Sequence, residues 1–109
     1  IGTEEKDGIL IISTEGYLNK DLALAVMEEA SKYIDNGTIN ILINLSKSNI
    51  VNSIGASIII ELIEKLQEVN GSLSFCELPS IIEKTFKIMG LTKYCDTFEN
   101  QEAALEQLT

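Results

Sequence analysis

The stretch of this chain best suited to chemistry is "NLSKSNIVNSIGASIII", residues 44–60, where Ser53 stands between Asn52 and Ile54, two residues before Gly55. A hydroxyl at the threshold of a helix can do one of two things. It can accept a hydrogen bond from an unpaired N–H of the first turn, contributing about 1 kcal/mol. Or it can stay free and take a phosphoryl group, which the positive end of the helix dipole tolerates. Asn52 and Ser53 both suit the capping role. Gly55 adds a second signal: alanine would favour the helix by up to about 1 kcal/mol, so a glycine here implies that something approaches the backbone closely.

The remaining candidates for chemistry are weak. The chain has no histidine, which removes His-based nucleophile activation, a phosphohistidine carrier and an imidazole metal site. No P-loop and no GxGxxG is present. The carboxylate pairs Glu4-Glu5 and Glu28-Glu29 are adjacent in sequence and read as solvated. Cys76 and Cys95 lie far apart without CxxC spacing and read as buried free thiols, not as a disulfide or a metal site. No catalytic residue, metal or cofactor is expected.

Composition narrows the partners. With 109 residues the chain is long enough for one domain, 1–109, with its own core. Eight Lys and Arg against 17 Asp and Glu leave a net charge of −9, which opposes nucleic-acid phosphates and anionic lipid alike. No apolar run approaches the roughly 20 residues needed to cross a bilayer. No secretory h-region is visible, and a soluble protein of the reducing cytoplasm is expected. The sequons at Asn36 and Asn70 coincide with Asn-Gly helix stops, so turn chemistry accounts for them.

The elements that must position Ser53 alternate between strand and helix. "ILII" within residues 8–13 reads as a strand buried on both faces, with residues 3–6 able to pair with it as a hairpin. Leu22, Val26, Ala30, Tyr33 and Ile34 recur at helical spacing between Lys20 and Asn36. Ile39, Ile41, Ile43 and Leu45 alternate with Asn40, Leu42 and Asn44 as a strand, followed by a polar loop. Ile59, Leu62, Ile63, Leu66 and Val69 then form the apolar stripe of a second helix, stopped at Asn70-Gly71. A strand at Leu73 and Phe75 follows, then a helix opened by Pro79 and ended at Gly90. An edge strand near Thr97 and Phe98 precedes a last helix capped by Asn100 that presents Ala104, Leu105 and Leu108. The alternation predicts an α/β domain with a central mixed β-sheet of four to five strands and about four α-helices.

Residues 44–55 resemble the signature loop of STAS domains, specifically that of bacterial anti-sigma factor antagonists, in which D-L-S leads into a D-S-S-G or D-S-T-G motif. Asn44, Leu45 and Ser46 fall on the first motif, and Asn52, Ser53, Ile54 and Gly55 on the second. The order of elements over nearly the whole chain is also similar, including "GSLSF" and Met89-Gly90-Leu91. The resemblance implies that Ser53 is phosphorylated by an anti-sigma factor with serine kinase activity, and that the unmodified form captures this partner and frees a sigma factor. A serine phosphatase would reset it. The sequence departs from the pattern at three places: Asn44 and Asn52 replace aspartates and Ile54 replaces the second hydroxyl. An asparagine still caps a helix but supplies no carboxylate to orient or deprotonate the serine.

The small or polar residues Asn49, Asn52, Ser53, Ile54, Gly55, Ala56 and Ser57 are expected to form the partner-binding face. One alternative is a STAS scaffold or interaction module that never cycles through phosphate. A more remote one is a small acidic carrier protein modified on Ser53 within an Asn-Ser-Ile motif; such carriers are all-helical, which the strand-like runs oppose.

Overall fold

A computed structural model describes residues 1–109. Two strands, β1 (Gly2–Lys6) and β2 (Ile9–Glu15), form an antiparallel hairpin whose two-residue turn is Asp7-Gly8. Both turn residues have positive φ, 53° and 82°, as the tightest hairpin turns require. From β2 onward the chain alternates: α1 (Lys20–Asp35), β3 (Asn40–Lys47), α2 (Ser53–Glu68), β4 (Ser72–Cys76), α3 (Ser80–Ile88), a 3₁₀ turn (Leu91–Lys93), β5 (Asp96–Phe98) and α4 (Gln101–Leu108). The five strands form one sheet in sequence order, antiparallel only between β1 and β2. The sheet and four helices match the sequence expectation, and they rule out the all-helical carrier.

Parallel strands are covered on both faces, and the sequence shows why. Leu10, Ile12, Ile41, Ile43 and Phe75 face a large core that also takes Val26 and Ala30 of α1, Ile59, Leu62 and Leu66 of α2 and Phe86 of α3. The alternate positions Ile9, Ile11, Leu42 and Cys76 face α4 through Ala104. The "ILII" run is thus buried on both sides. Leu42, which alternation assigned to the polar side of β3, is fully buried because α4 returns over that face.

Helix ends follow local chemistry with two shifts. Gly37 is left-handed after α1, as a helix stop demands, but after α2 it is Asn70 that takes the positive φ. Gly71 instead passes so close to the Ile39 carbonyl that a β-carbon would not fit. The sequence expectation for Val69 fails: it is exposed, because it is the C-cap of α2 and the helix's buried stripe ends at Leu66.

Candidate functional site

The loops at the C-terminal ends of β2 and β3 run side by side. Gly16 N donates to Lys47 O at 2.9 Å, Leu18 N to Ile50 O at 2.9 Å and Asn52 N to Leu18 O at 3.3 Å, with Leu18 paired in parallel to Val51. Beneath them the buried hydroxyls of Thr14 and Ser48 meet at 2.6 Å. These bonds set residues 48–52 in an extended path that ends at α2.

Asn52 caps that helix. Its side-chain oxygen accepts from Gly55 N at 2.7 Å, and its carbonyl accepts from Ala56 N at 3.0 Å. Ser53 is the first residue of α2 and is exposed; its carbonyl accepts from the Ser57 hydroxyl at 2.8 Å, while its own hydroxyl has no partner in the protein. Of the two capping candidates, the amide takes the bond and leaves the serine free.

Gly55 has its own explanation. A β-carbon at residue 55 would collide with the carbonyl of Leu18 and crowd the Asn52 side chain. What approaches the glycine is the chain's own backbone. Gly55 and Ala56 are both buried, so they lie beneath the face on which Asn49, Ser53, Ile54 and Ser57 are exposed and Asn52 is half-buried.

Asn44 stands in the C-terminal half of β3 and ties this edge together. Its amide nitrogen donates to Glu77 at 3.2 Å and to Gln101 at 3.0 Å, and its oxygen accepts from Ser46 N at 2.9 Å. An aspartate could not make the two donations.

Sequence reasoning missed the β2–α1 loop altogether. Tyr17 and Ile50 are exposed beside one another on the two paired loops. An aromatic after Glu15-Gly16, next to a strand end, was the available signal. Ser53 is not among the residues lining the apolar groove of about 240 Å³ between α2 and the segment after α3, which holds Ile60, Ile63, Met89, Leu91 and Tyr94. No helix is long and apolar enough to cross a membrane, and no three His, Cys, Asp or Glu side chains are grouped to hold a metal ion.

The family model of the STAS domain matches residues 1–104. The chain belongs to the STAS domain family. A relative from Bordetella bronchiseptica, BtrV, named as an anti-sigma factor antagonist, is 26% identical over 98 residues, spanning 90% of this STAS chain and 84% of the relative. Among solved structures, a Thermotoga maritima protein described as an anti-sigma factor antagonist has a TM-score of 0.89 at 15% identity, covering 97% of this chain and 92% of its own. The Bacillus cell fate determinant SpoIIAA, solved in its phosphorylated form, has a TM-score of 0.78 at 18% identity, covering 99% and 98%. At these identities the structural likeness establishes the STAS fold.

Proposed function

We propose that this chain is an anti-sigma factor antagonist. Unmodified, it captures an anti-sigma factor that is also a serine kinase and so releases the sigma factor which that partner holds. Phosphorylation of Ser53 ends the capture, and a serine phosphatase restores it, all within the bacterial cytoplasm. The chain is not itself an enzyme; the chemistry is done to it. Ser53 Oγ attacks the γ-phosphorus of ATP bound to the partner, the new O–P bond forms as the bond to ADP breaks, and the hydroxyl proton leaves to a base on the partner, because Asn52 offers none.

The observation that carries this reading is the free Ser53 hydroxyl. Asn52 performs the capping, so helix stability does not account for a serine at the exposed first position of α2. Support also comes from BtrV, named as an anti-sigma factor antagonist, and from SpoIIAA, a neighbour in fold solved in a phosphorylated form. The contact face consists of Asn49, Asn52, Ser53, Ile54 and Ser57, with Gly55 and Ala56 shaping it from below. Isothermal titration of unmodified protein, phosphorylated protein and Ser53→Ala against the anti-sigma factor that co-purifies with the native protein tests the switch. Equal affinities for the first two would overturn it.

A second reading is a STAS scaffold in a signalling assembly. The amides at Asn44 and Asn52 favour it, since they hold the loop by hydrogen bonds without placing a carboxylate beside the serine. Native protein whose intact mass never includes a phosphate, under any growth condition, would select this reading.

A further inference from the structure

We infer that Tyr17 and Ile50 are the apolar anchor by which the kinase acting on Ser53 holds this chain, an inference that rests on reading Ser53 as the phosphorylated residue. Register decides where these side chains point. Leu18 is paired in parallel with Val51, and both are buried. Successive side chains in extended backbone alternate in direction, so the residues before them, Tyr17 and Ile50, turn outward together. They are 45% and 46% exposed. Ile54, one residue beyond Ser53, is 55% exposed on the first turn of α2. A lone apolar side chain on a surface means little, but two from hydrogen-bonded loops and a third from the first turn of the helix that begins with the free hydroxyl form a patch.

The occupant follows from the reaction. A kinase must bring the γ-phosphate within bonding reach of Ser53 Oγ, so its surface has to cover the serine. An interface of ordinary size takes about 800 Å² from each partner, a disc of about 16 Å radius. Tyr17 and Ile50 fall inside it: Asn52, the neighbour of Ser53, bonds through its N–H to the residue after Tyr17, and Ile50 is two residues before Asn52. Charge identifies the chemistry of the covering surface. None of the thirteen residues from Ser48 to Ile60 is charged, in a chain of net charge −9. Exposed charges flank the two loops at Glu15, Lys20, Asp21 and Lys47, so within the patch itself recognition is by apolar shape, and the kinase must offer a pocket for an aromatic ring and a branched aliphatic chain. Tyrosine is among the residues most often found to dominate such contacts.

Extract of the native cells, supplied with radiolabelled ATP, serves as the source of kinase, and the purified chain is the substrate. Label on the Ser53 peptide is followed with time for wild type, Tyr17→Ala, Tyr17→Phe, Ile50→Ser and Ile88→Ala. Ile88 is a control, 86% exposed at the end of α3 remote from the C-terminal edge of the sheet. Tyr17→Ala and Ile50→Ser are expected to label at least 10-fold more slowly, with Tyr17→Phe and Ile88→Ala near the wild-type rate. Thermal melts by circular dichroism show that each variant is folded, and the two anchor variants report independently. Unchanged rates in both, beside a labelled wild type, overturn the anchor alone. A wild type that takes no label at Ser53 overturns the phosphorylation reading and the anchor with it.

Discussion

The carbonyl of Leu18 occupies the place where a β-carbon on Gly55 would stand. The first turn of α2 is thereby seated on the β2–α1 loop, backbone against backbone, and the position of Ser53 depends on that contact. Gly55→Ala gains helix propensity of up to about 1 kcal/mol but forces apart two main chains, at a cost of about 1–3 kcal/mol. A net loss of stability is expected. Chemical denaturation measures it, and a stabilised variant would mean that the loop yields freely.

The core and the cap should separate cleanly. Ile63 is buried on the core face of α2, and Ile63→Ala should cost about 2–5 kcal/mol through lost transfer energy and a residual cavity. Asn52→Ala removes the cap and should cost about 1 kcal/mol. Ser53→Ala removes no hydrogen bond and should lie within about 0.5 kcal/mol of wild type. The order of the three denaturation midpoints is the check.

Burial pushes the thiols of Cys76 and Cys95 up from 9.0 to about 12, with smaller contributions from the neighbouring charges of Glu77 and Asp96. Both should resist alkylation at pH 8 in the native state and react once unfolded. The sign for stability follows from proton binding: above pH 9 the unfolded chain releases thiol protons that the folded chain keeps. The stabilisation is complete below that pH and is lost as pH rises towards 12. Unfolding midpoints that rise between pH 9 and 11 would contradict this.

Phosphate on Ser53 adds about −1.5 to −2 charges to a run of residues that has none. Within a contact lined by apolar groups, desolvation should weaken partner binding about 10-fold to 100-fold, equivalent to about 1.4 to 3 kcal/mol, and the helix dipole offsets less than half of that at an exposed site. Calorimetric titration should show this loss for the phosphorylated protein and a smaller one for Ser53→Asp, with Ser53→Ala binding like wild type.

Asn52→Asp should keep the helix cap, since both side chains present the same acceptor, while placing a carboxylate beside the serine. The rate of Ser53 labelling should rise and the denaturation midpoint should hardly move. An unchanged rate would show that the missing carboxylate does not limit phosphoryl transfer.

Much of the fold was legible because it rests on local rules. Asp7-Gly8 before an apolar run marks a tight turn that lets residues 3–6 fold back as a hairpin, the i, i+3, i+4 spacing of Ile59, Leu62, Ile63 and Leu66 specifies one helix face, and "ILII" is too apolar for a strand with a solvated side. Where local rules run out, neighbours from distant parts of the chain decide. Leu42 is buried because α4 returns over β3, and Val69 is exposed because α2 ends at Glu68 and leaves Val69 as its C-cap, beyond the buried stripe.

The same division holds at the candidate site. Residue type and spacing alone place Ser53 at the opening of a helix, behind an asparagine, in a run from Ser48 to Ile60 that holds no charged side chain. Which side chain caps α2 is settled by contacts from elsewhere in the chain, because Asn52 and Ser53 are equal candidates until the path of residues 48–52 orients one of them towards Gly55 N. The tertiary structure also decided that Gly55 serves the chain's own Leu18 and that Tyr17 stands beside Ile50. Those are contacts across more than thirty residues of sequence, and they exist because β2 and β3 run parallel, shift register between Ser13 and Glu15, and pair once more in the loops at Leu18 and Val51.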